Sequence, residues 1–379
     1  MAVHANPLHV PGFTVAPPEG EPPRAFHRRL PGYASSPLHS AGSLAGVLGV
    51  EAVWVKDESS RLGLPAFKII GASWAVYVCL ERRRGRPFDT WGTLDELSSQ
   101  VAELGALTLA TATDGNHGRA VAHFARLLGL ASRVRVPANT VAARKASIAA
   151  EGADVTVSDG TYDQAVAEVA AWASEDTLVI SDTSWPGYED VPNWIVDGYS
   201  TIFAEIDEQL DLQHDAPGGP TVVFVPVGVG ALAAAVVDRY RRAGASAVRI
   251  VAVEPTSAAC VLASLLAGHV LTIPGEQDSI MAGLNCGTPS PVAWPRVSAG
   301  TDHVVTVSDD DARDAMRLLA SAGIVSGESG AAALAGAVQY AAAGLLRADD
   351  RVLLLSTEGA TDPLAYRRIV DAREGVAVR

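Results

Sequence analysis

The run Lys56-Asp57-Glu58-Ser59-Ser60-Arg61-Leu62-Gly63-Leu64-Pro65-Ala66-Phe67-Lys68-Ile69-Ile70-Gly71 follows an apolar strand-like triplet, Val53-Trp54-Val55, and leads into a segment of helical spacing. Lys68 thus stands at a strand-to-helix junction among apolar neighbours. Burial disfavours the charged form of an amine, so a lysine so placed can lose its proton and form a Schiff base with an aldehyde cofactor. Lysines are more often solvated surface charges. The segments downstream decide between the two readings.

Outward from this stretch, β-branched runs alternate with alanine-rich runs of helical period. Strands are expected at 53–55, 107–110, 132–136, 154–157, 177–180, 222–226, 250–254, 304–307 and 351–355. Helices are expected at 68–83, 116–129, 140–151, 162–174, 194–211, 230–243, 256–267, 309–322, 328–343 and 362–372. Such alternation, with short connections, predicts parallel sheets covered by helices on both faces. A chain of 379 residues exceeds one ordinary core. Breaks at Arg84-Gly85-Arg86-Pro87 and at Gln213–Pro220 suggest a large domain built from 1–84 together with 213–379, and a small inserted domain over 85–212. The alanine richness reads as compositional bias.

At 48% hydrophobic and 19% charged residues, the composition is that of a globular protein. The net charge is −14, and the one basic block, Arg82-Arg83-Arg84-Gly85-Arg86, reads as a solvated helix end. Nucleic acid is therefore not expected as a partner, and the acidic balance mildly favours cationic ligands. No charged-then-apolar leader stands at the N-terminus and no run is long enough to cross a bilayer, so a cytoplasmic protein without membrane contact is expected. The proline-rich first forty residues read as an extended arm. Of three cysteines, Cys79 reads as core, while Cys260 and Cys286 read as two reduced thiols that could meet in the fold. No metal site is expected.

Several motifs sit where strands hand over to helices. Thr111-Ala112-Thr113-Asp114-Gly115-Asn116-His117-Gly118-Arg119 opens a helix, where free backbone N–H groups and the positive dipole end attract carboxylates and phosphates. Asn116 adds an amide able to hold a phenolic oxygen; a simple Asp-Gly turn with a cap is the bland alternative. Pro226-Val227-Gly228-Val229-Gly230-Ala231-Leu232 lets the backbone approach a phosphate closely, although Ala233 in place of a third glycine excludes a dinucleotide fingerprint. Leu355-Ser356-Thr357-Glu358-Gly359-Ala360-Thr361-Asp362 ends the last strong strand and offers hydroxyls at a sheet crevice or, alternatively, a capping turn. Ser181-Asp182-Thr183-Ser184-Trp185-Pro186-Gly187-Tyr188 sets a carboxylate beside aromatic walls. In Ser326-Gly327-Glu328-Ser329-Gly330, Glu328 reads equally as a helix N-terminal acid.

In this order, together with Ile280-Met281-Ala282-Gly283-Leu284-Asn285-Cys286-Gly287, these segments resemble the tryptophan-synthase-like, fold type II family of pyridoxal-phosphate enzymes. The resemblance runs from about residue 36 to about residue 370 and is closest to its diaminopropionate ammonia-lyase branch. It implies an α/β fold of two domains with parallel-rich twisted sheets flanked by helices, and an active site between the domains. Related serine and threonine dehydratases carry Ser-x-Gly-Asn-His where this chain has Thr113-Asp114-Gly115-Asn116-His117. A carboxylate there suits a substrate with an additional ammonium group and the proton transfers near its nitrogen.

By the same resemblance Lys68 binds pyridoxal 5'-phosphate covalently and then serves as base at Cα. Asp114 and Asp182 act on the substrate, with Asp114 able to take the α-proton of a D-isomer. Phe67 lies by the cofactor, the N–H groups of Gly228, Val229, Gly230, Ala231 and Leu232 cradle its phosphate, and Asn116 bonds its phenolic oxygen. Ser356 or Thr357 faces the ring nitrogen; a neutral hydroxyl there suits β-elimination better than transamination. The implied reaction is loss of ammonia from 2,3-diaminopropionate through aminoacrylate to pyruvate, in a homodimer. Leu62, Pro65 and Ala360 depart from the family's Phe, Asn and Asp. They leave room for a serine/threonine dehydratase or a β-replacement enzyme. A non-catalytic cofactor-binding regulator is the alternative of another class.

Overall fold

The computed structural model describes residues 2–16, 22–113, 115–212, 218–243 and 247–371. Its strands are β1 Val3–Ala5, β2 Leu38–Ser40, β3 Ala52–Asp57, β4 Thr108–Ala112, β5 Ala131–Val136, β6 Asp154–Val157, β7 Thr177–Val179, β8 Val222–Pro226, β9 Arg249–Pro255, β10 His303–Val307 and β11 Arg351–Ser356. The larger sheet has the order β1-β10-β9-β8-β11-β3-β2 and the smaller one β6-β5-β4-β7. All pairings are parallel except β1 with β10 and β2 with β3, the two edges of the larger sheet.

Every expected strand is present, and the central ones are buried on both faces. Val222, Val223, Phe224 and Val225 of β8 are wholly shielded from solvent. Each such side chain contributes about 1.5–3 kcal/mol by leaving water, and doubly covered parallel strands require this unbroken apolar run. The N-terminal arm differs from the extended reading, because Val3–Ala5 and Leu38–Ser40 pair into the larger sheet and Pro23–His27 forms a helix, and a further helix, Gly42–Leu48, follows the arm. Arm residues pack inward, with Phe26 fully buried among Trp74, Tyr77, Trp91 and Phe124.

The alanine richness has a packing role. In the helix Glu328–Ala342, Ala331, Ala332, Ala333, Ala335 and Ala337 are all buried. A Cβ placed on Gly336 would stand 2.4 Å from Val253 Cγ2, so only small residues let this helix lie directly on β9. The segment expected as one helix over 194–211 is two, Asp190–Gly198 and Ser200–Asp211. At the break, Gly198 meets Gly71 of the helix Lys68–Arg84 so closely that a Cβ on Gly198 would lie 2.8 Å from the Gly71 Cα. The helix Lys68–Arg84 also touches Asn116–Leu127, which packs on β4 and β5 of the smaller sheet. The site lies in the space between the two sheets.

Candidate active site

Lys68 is positioned by the loop that precedes it. Asp57, the last residue of β3, is in register with Ser356 of β11. Beyond that pair the two chains stay joined: Glu58 N–H donates to the Ser356 carbonyl at 2.9 Å, Phe67 N–H to the Thr357 carbonyl at 3.2 Å, and Gly359 N–H to the Pro65 carbonyl at 2.9 Å. Between them the chain reverses at Arg61–Leu64, whose backbones exchange two hydrogen bonds, with Leu62 and Gly63 both at positive φ.

The motif Lys56-Asp57-Glu58 proves to be the underside of this loop, an anchor away from the pocket. Arg61, 1% exposed, bonds both Glu58 oxygens at 2.6 and 2.8 Å and both Glu205 oxygens at 2.7 and 2.8 Å. Lys56 donates to Glu205 Oε2 at 2.9 Å, to the Ser36 carbonyl at 2.8 Å and to Gln209 Oε1 at 3.0 Å. Two cations and two carboxylates cancel in charge, so the cluster survives where an isolated ion would not.

Above the loop, Lys68 Nζ donates to Asp182 Oδ2 at 2.6 Å, and the Tyr162 hydroxyl donates to Asp182 Oδ1 at 2.9 Å. Burial alone would raise the Asp182 carboxyl; the Lys68 ammonium and these donors hold it well below the usual carboxylate range. His117 is buried, its Nε2 donating to the Ile180 carbonyl at 2.8 Å, and burial lowers its pKa. Phe67, Lys68, Asn116, Asp182, Thr357 and the turn from Gly228 to Leu232 line one pocket. Each of these residues follows the C-terminal end of a parallel strand, where open α/β sheets bind ligands.

Within that pocket the turn from Gly228 to Leu232 is shaped for an anion. Gly230, at φ +97°, ends it and opens the helix Ala231–Tyr240, whose first turn carries no side-chain cap and no acid. Those N–H groups remain directed at the pocket. A Cβ on Gly228 would stand 3.1 Å from both Cys286 Sγ and the Gly283 carbonyl oxygen, which leaves space only for a bare backbone. Cys260 also lies against Gly228, its Sγ 3.8 Å from the carbonyl oxygen. An amine opposite an anion cradle, with an amide and a hydroxyl between, is the donor set that pyridoxal 5'-phosphate requires, and the residues fit it.

Two sequence-predicted positions stand apart. Ser356 lies deeper than Thr357, its hydroxyl donating to Ser326 Oγ at 2.8 Å. Asp114 lies outside the described residues. Conversely, Glu358 and Tyr162 line the pocket although neither is among the residues expected there. Glu358 accepts a hydrogen bond from the Asn116 amide and another, at 3.0 Å, from Ser329 N–H. The clue to Glu358 was its place directly after the two hydroxyl residues; nothing local marked Tyr162. Among the described residues no group of side chains could hold a metal ion, and no helix is long and apolar enough to cross a membrane.

The model of the family described as pyridoxal-phosphate dependent enzyme matches residues 30–358. The chain is 35% identical over 366 residues to a diaminopropionate ammonia-lyase of Escherichia coli (strain K12), spanning 92% of this chain and 90% of that protein. Among solved structures, the Escherichia coli diaminopropionate ammonia-lyase in complex with D-serine is similar with a TM-score of 0.87 and 32% identity, over 97% of this chain and 96% of that one. The same enzyme in complex with an aminoacrylate-PLP azomethine reaction intermediate gives a TM-score of 0.84 at 32% identity, again over 97% and 96%.

Proposed function

The chain belongs to the family of pyridoxal-phosphate dependent enzymes, and from that premise we propose that it removes ammonia from 2,3-diaminopropionate, yielding pyruvate and ammonia. The observation that carries the reading is Lys68 Nζ at 2.6 Å from a buried Asp182, facing the uncapped helix start at Gly230. The similarity to diaminopropionate ammonia-lyases supports the choice of substrate.

When bound, the cofactor supplies an electron sink that makes the α-proton acidic and expels the β-amine. In this reading Lys68 holds the cofactor's aldehyde carbon and, once displaced, takes the α-proton at Nζ. The N–H groups from Gly228 to Leu232 would hold the phosphate, Asn116 the ring oxygen, and Thr357, which lines the pocket where Ser356 does not, the ring nitrogen, with Phe67 alongside. Asp182, kept ionised by its donors, orients the Lys68 amine and takes up charge when that amine is protonated. Asp114 is assigned the α-proton of the D-isomer on its sequence position. His117 bonds the Ile180 carbonyl, two residues before Asp182.

The same reading divides the chain into 1–84 with 213–379, and 85–212, on the grounds that β1–β3 and β8–β11 share one sheet and β4–β7 the other. It places the enzyme in the cytoplasm as a homodimer, closed two-fold pairs being the commonest oligomers. The test is pyruvate release from D- and L-diaminopropionate, serine and threonine by the wild type and by Lys68→Ala, Asp114→Asn and Asp182→Asn. Turnover of serine or threonine without diaminopropionate refutes the proposal and favours a dehydratase.

A further inference from the structure

A groove of about 690 Å³ opens beside the lysine pocket and shares Tyr162 with it. Six carboxylates reach it, those of Asp159, Glu276, Asp278, Asp309, Glu328 and Asp362, against Arg144 as the one lysine or arginine among its described lining residues. Some of these acids have structural work. Asp309 accepts from Ser279 Oγ at 2.6 Å, and Asp362 accepts from Leu364 and Ala365 N–H at 3.0 Å as a helix cap.

Glu328 differs from them. It is only 6% exposed, yet it lines the groove. Among the described residues, no other residue donates a hydrogen bond to its carboxylate or forms an ion pair with it. An acid at a helix start is favourable in itself. Here, however, the next N–H, that of Ser329, is already taken by Glu358 Oε1 at 3.0 Å. Glu358 is also engaged by Asn116 through its other oxygen, so Glu328 is the carboxylate left over at this corner of the site. Burial and the adjacent Glu358 both push the Glu328 carboxyl upward, and Arg144 offsets this only in part. A buried carboxylate lacking a bonded counter-ion is costly unless a ligand supplies the cation.

We infer that Glu328 is a specificity-determining residue that receives the second amino group of a diamino-acid substrate bound where the acidic groove meets the lysine pocket. The inference rests on the reading of the protein as an ammonia-lyase and adds to it a discriminating contact. A substrate with a hydroxyl in place of the second amine brings no charge to this carboxylate, so Glu328 separates amine from hydroxyl.

The test compares 2,3-diaminopropionate with serine on the cofactor-loaded enzyme. Glu328→Gln keeps the shape and removes the charge. Loss of one charged hydrogen bond lowers kcat/KM for diaminopropionate by about tenfold to a hundredfold, while the value for serine stays within about threefold. Glu328→Asp, which retains the charge one methylene back, gives an intermediate loss and carries the comparison should the glutamine variant not fold. Equal losses on both substrates, or none on diaminopropionate, overturn the inference. Binding supplies a second readout: by calorimetry on the Lys68→Ala protein, Glu328→Gln weakens diaminopropionate by a similar factor and leaves serine unchanged. If the wild type releases no pyruvate from diaminopropionate, the functional reading falls, and the calorimetric ratio alone still decides the role of Glu328.

Discussion

Replacing Glu205 by glutamine probes the buried anchor of the loop that leads to Lys68. Glu205 is fully buried and accepts hydrogen bonds from Arg61, Lys56 and the Tyr33 hydroxyl, the last at 2.7 Å. Burial by itself would raise its carboxyl; Arg61 and Lys56 overcome that and bring it down to about 2 from 4.5. A folded-state pKa lowered by this much corresponds to about 3 kcal/mol of stability at neutral pH. This agrees with the roughly 3–5 kcal/mol lost when one member of a buried pair is removed. Because the pKa is depressed on folding, the stabilisation is complete above about 4.5 and is lost as pH falls towards about 2. Glu205→Gln therefore loses about 3 kcal/mol at pH 7, read as a drop in the urea midpoint on the order of 1 M, and the gap to wild type narrows as the pH is lowered below about 4.5. Glu208→Gln, which removes an acid that touches Arg24 and Arg28 at the half-exposed surface nearby, is the control and leaves the urea midpoint close to that of the wild type. If Glu205→Gln unfolds within about 1 kcal/mol of wild type at pH 7, or if the gap does not depend on pH, the argument that this ion cluster holds the loop is wrong.

Gly228→Ala brings a methyl group to 3.1 Å from Cys286 Sγ and the Gly283 carbonyl, so cofactor affinity measured by equilibrium dialysis falls by about 1–3 kcal/mol while far-ultraviolet circular dichroism is unchanged. Asp182→Asn removes the charge held against Lys68 and lowers kcat/KM by about 10²–10⁴-fold; Tyr162→Phe removes only one donor to that carboxylate and lowers it by about fivefold to tenfold, a ranking that steady-state kinetics checks. Gly71→Ala places a Cβ 2.6 Å from Tyr199 Cε1 and 2.8 Å from the Ile195 carbonyl; the helix crossing opens, and stability in urea falls by about 1–3 kcal/mol.

What the sequence revealed and what it concealed follow from the range of the interactions concerned. The doubly buried strands were legible because burial on both faces demands an uninterrupted apolar run such as Val222–Pro226. Val3–Ala5 and Leu38–Ser40 were not, since three-residue edge strands carry no periodicity and exist only because β10 and β3 offer them a partner. The helix Leu94–Ala102 carries a local signal, the capping box of Thr93 with Glu96, but it is too short to show an extended apolar period and is absent from the expected helices. The break at Tyr199 has no local signal, being set by Gly71 pressing on Gly198. In the site, strand-to-helix turns marked Lys68, Asn116 and the Gly228–Leu232 turn, because such turns expose N–H groups wherever they occur. The anchor of Arg61 was hidden: its acceptor Glu205 lies 144 positions away, and no spacing rule reaches that far.

The bond between Asn116 and Glu358 ties a helix packed on the smaller sheet to the chain leaving β11 near the middle of the larger one. A primary amide has two hydrogens, and here one is already committed to the opposite half of the molecule. The side chain is thereby locked in rotation and can offer its remaining hydrogen in a single direction. Any acceptor entering the pocket meets that hydrogen in one fixed place. Adaptation to new substrates is then confined to the outer rim, while the innermost wall stays a fixed template for one prosthetic group.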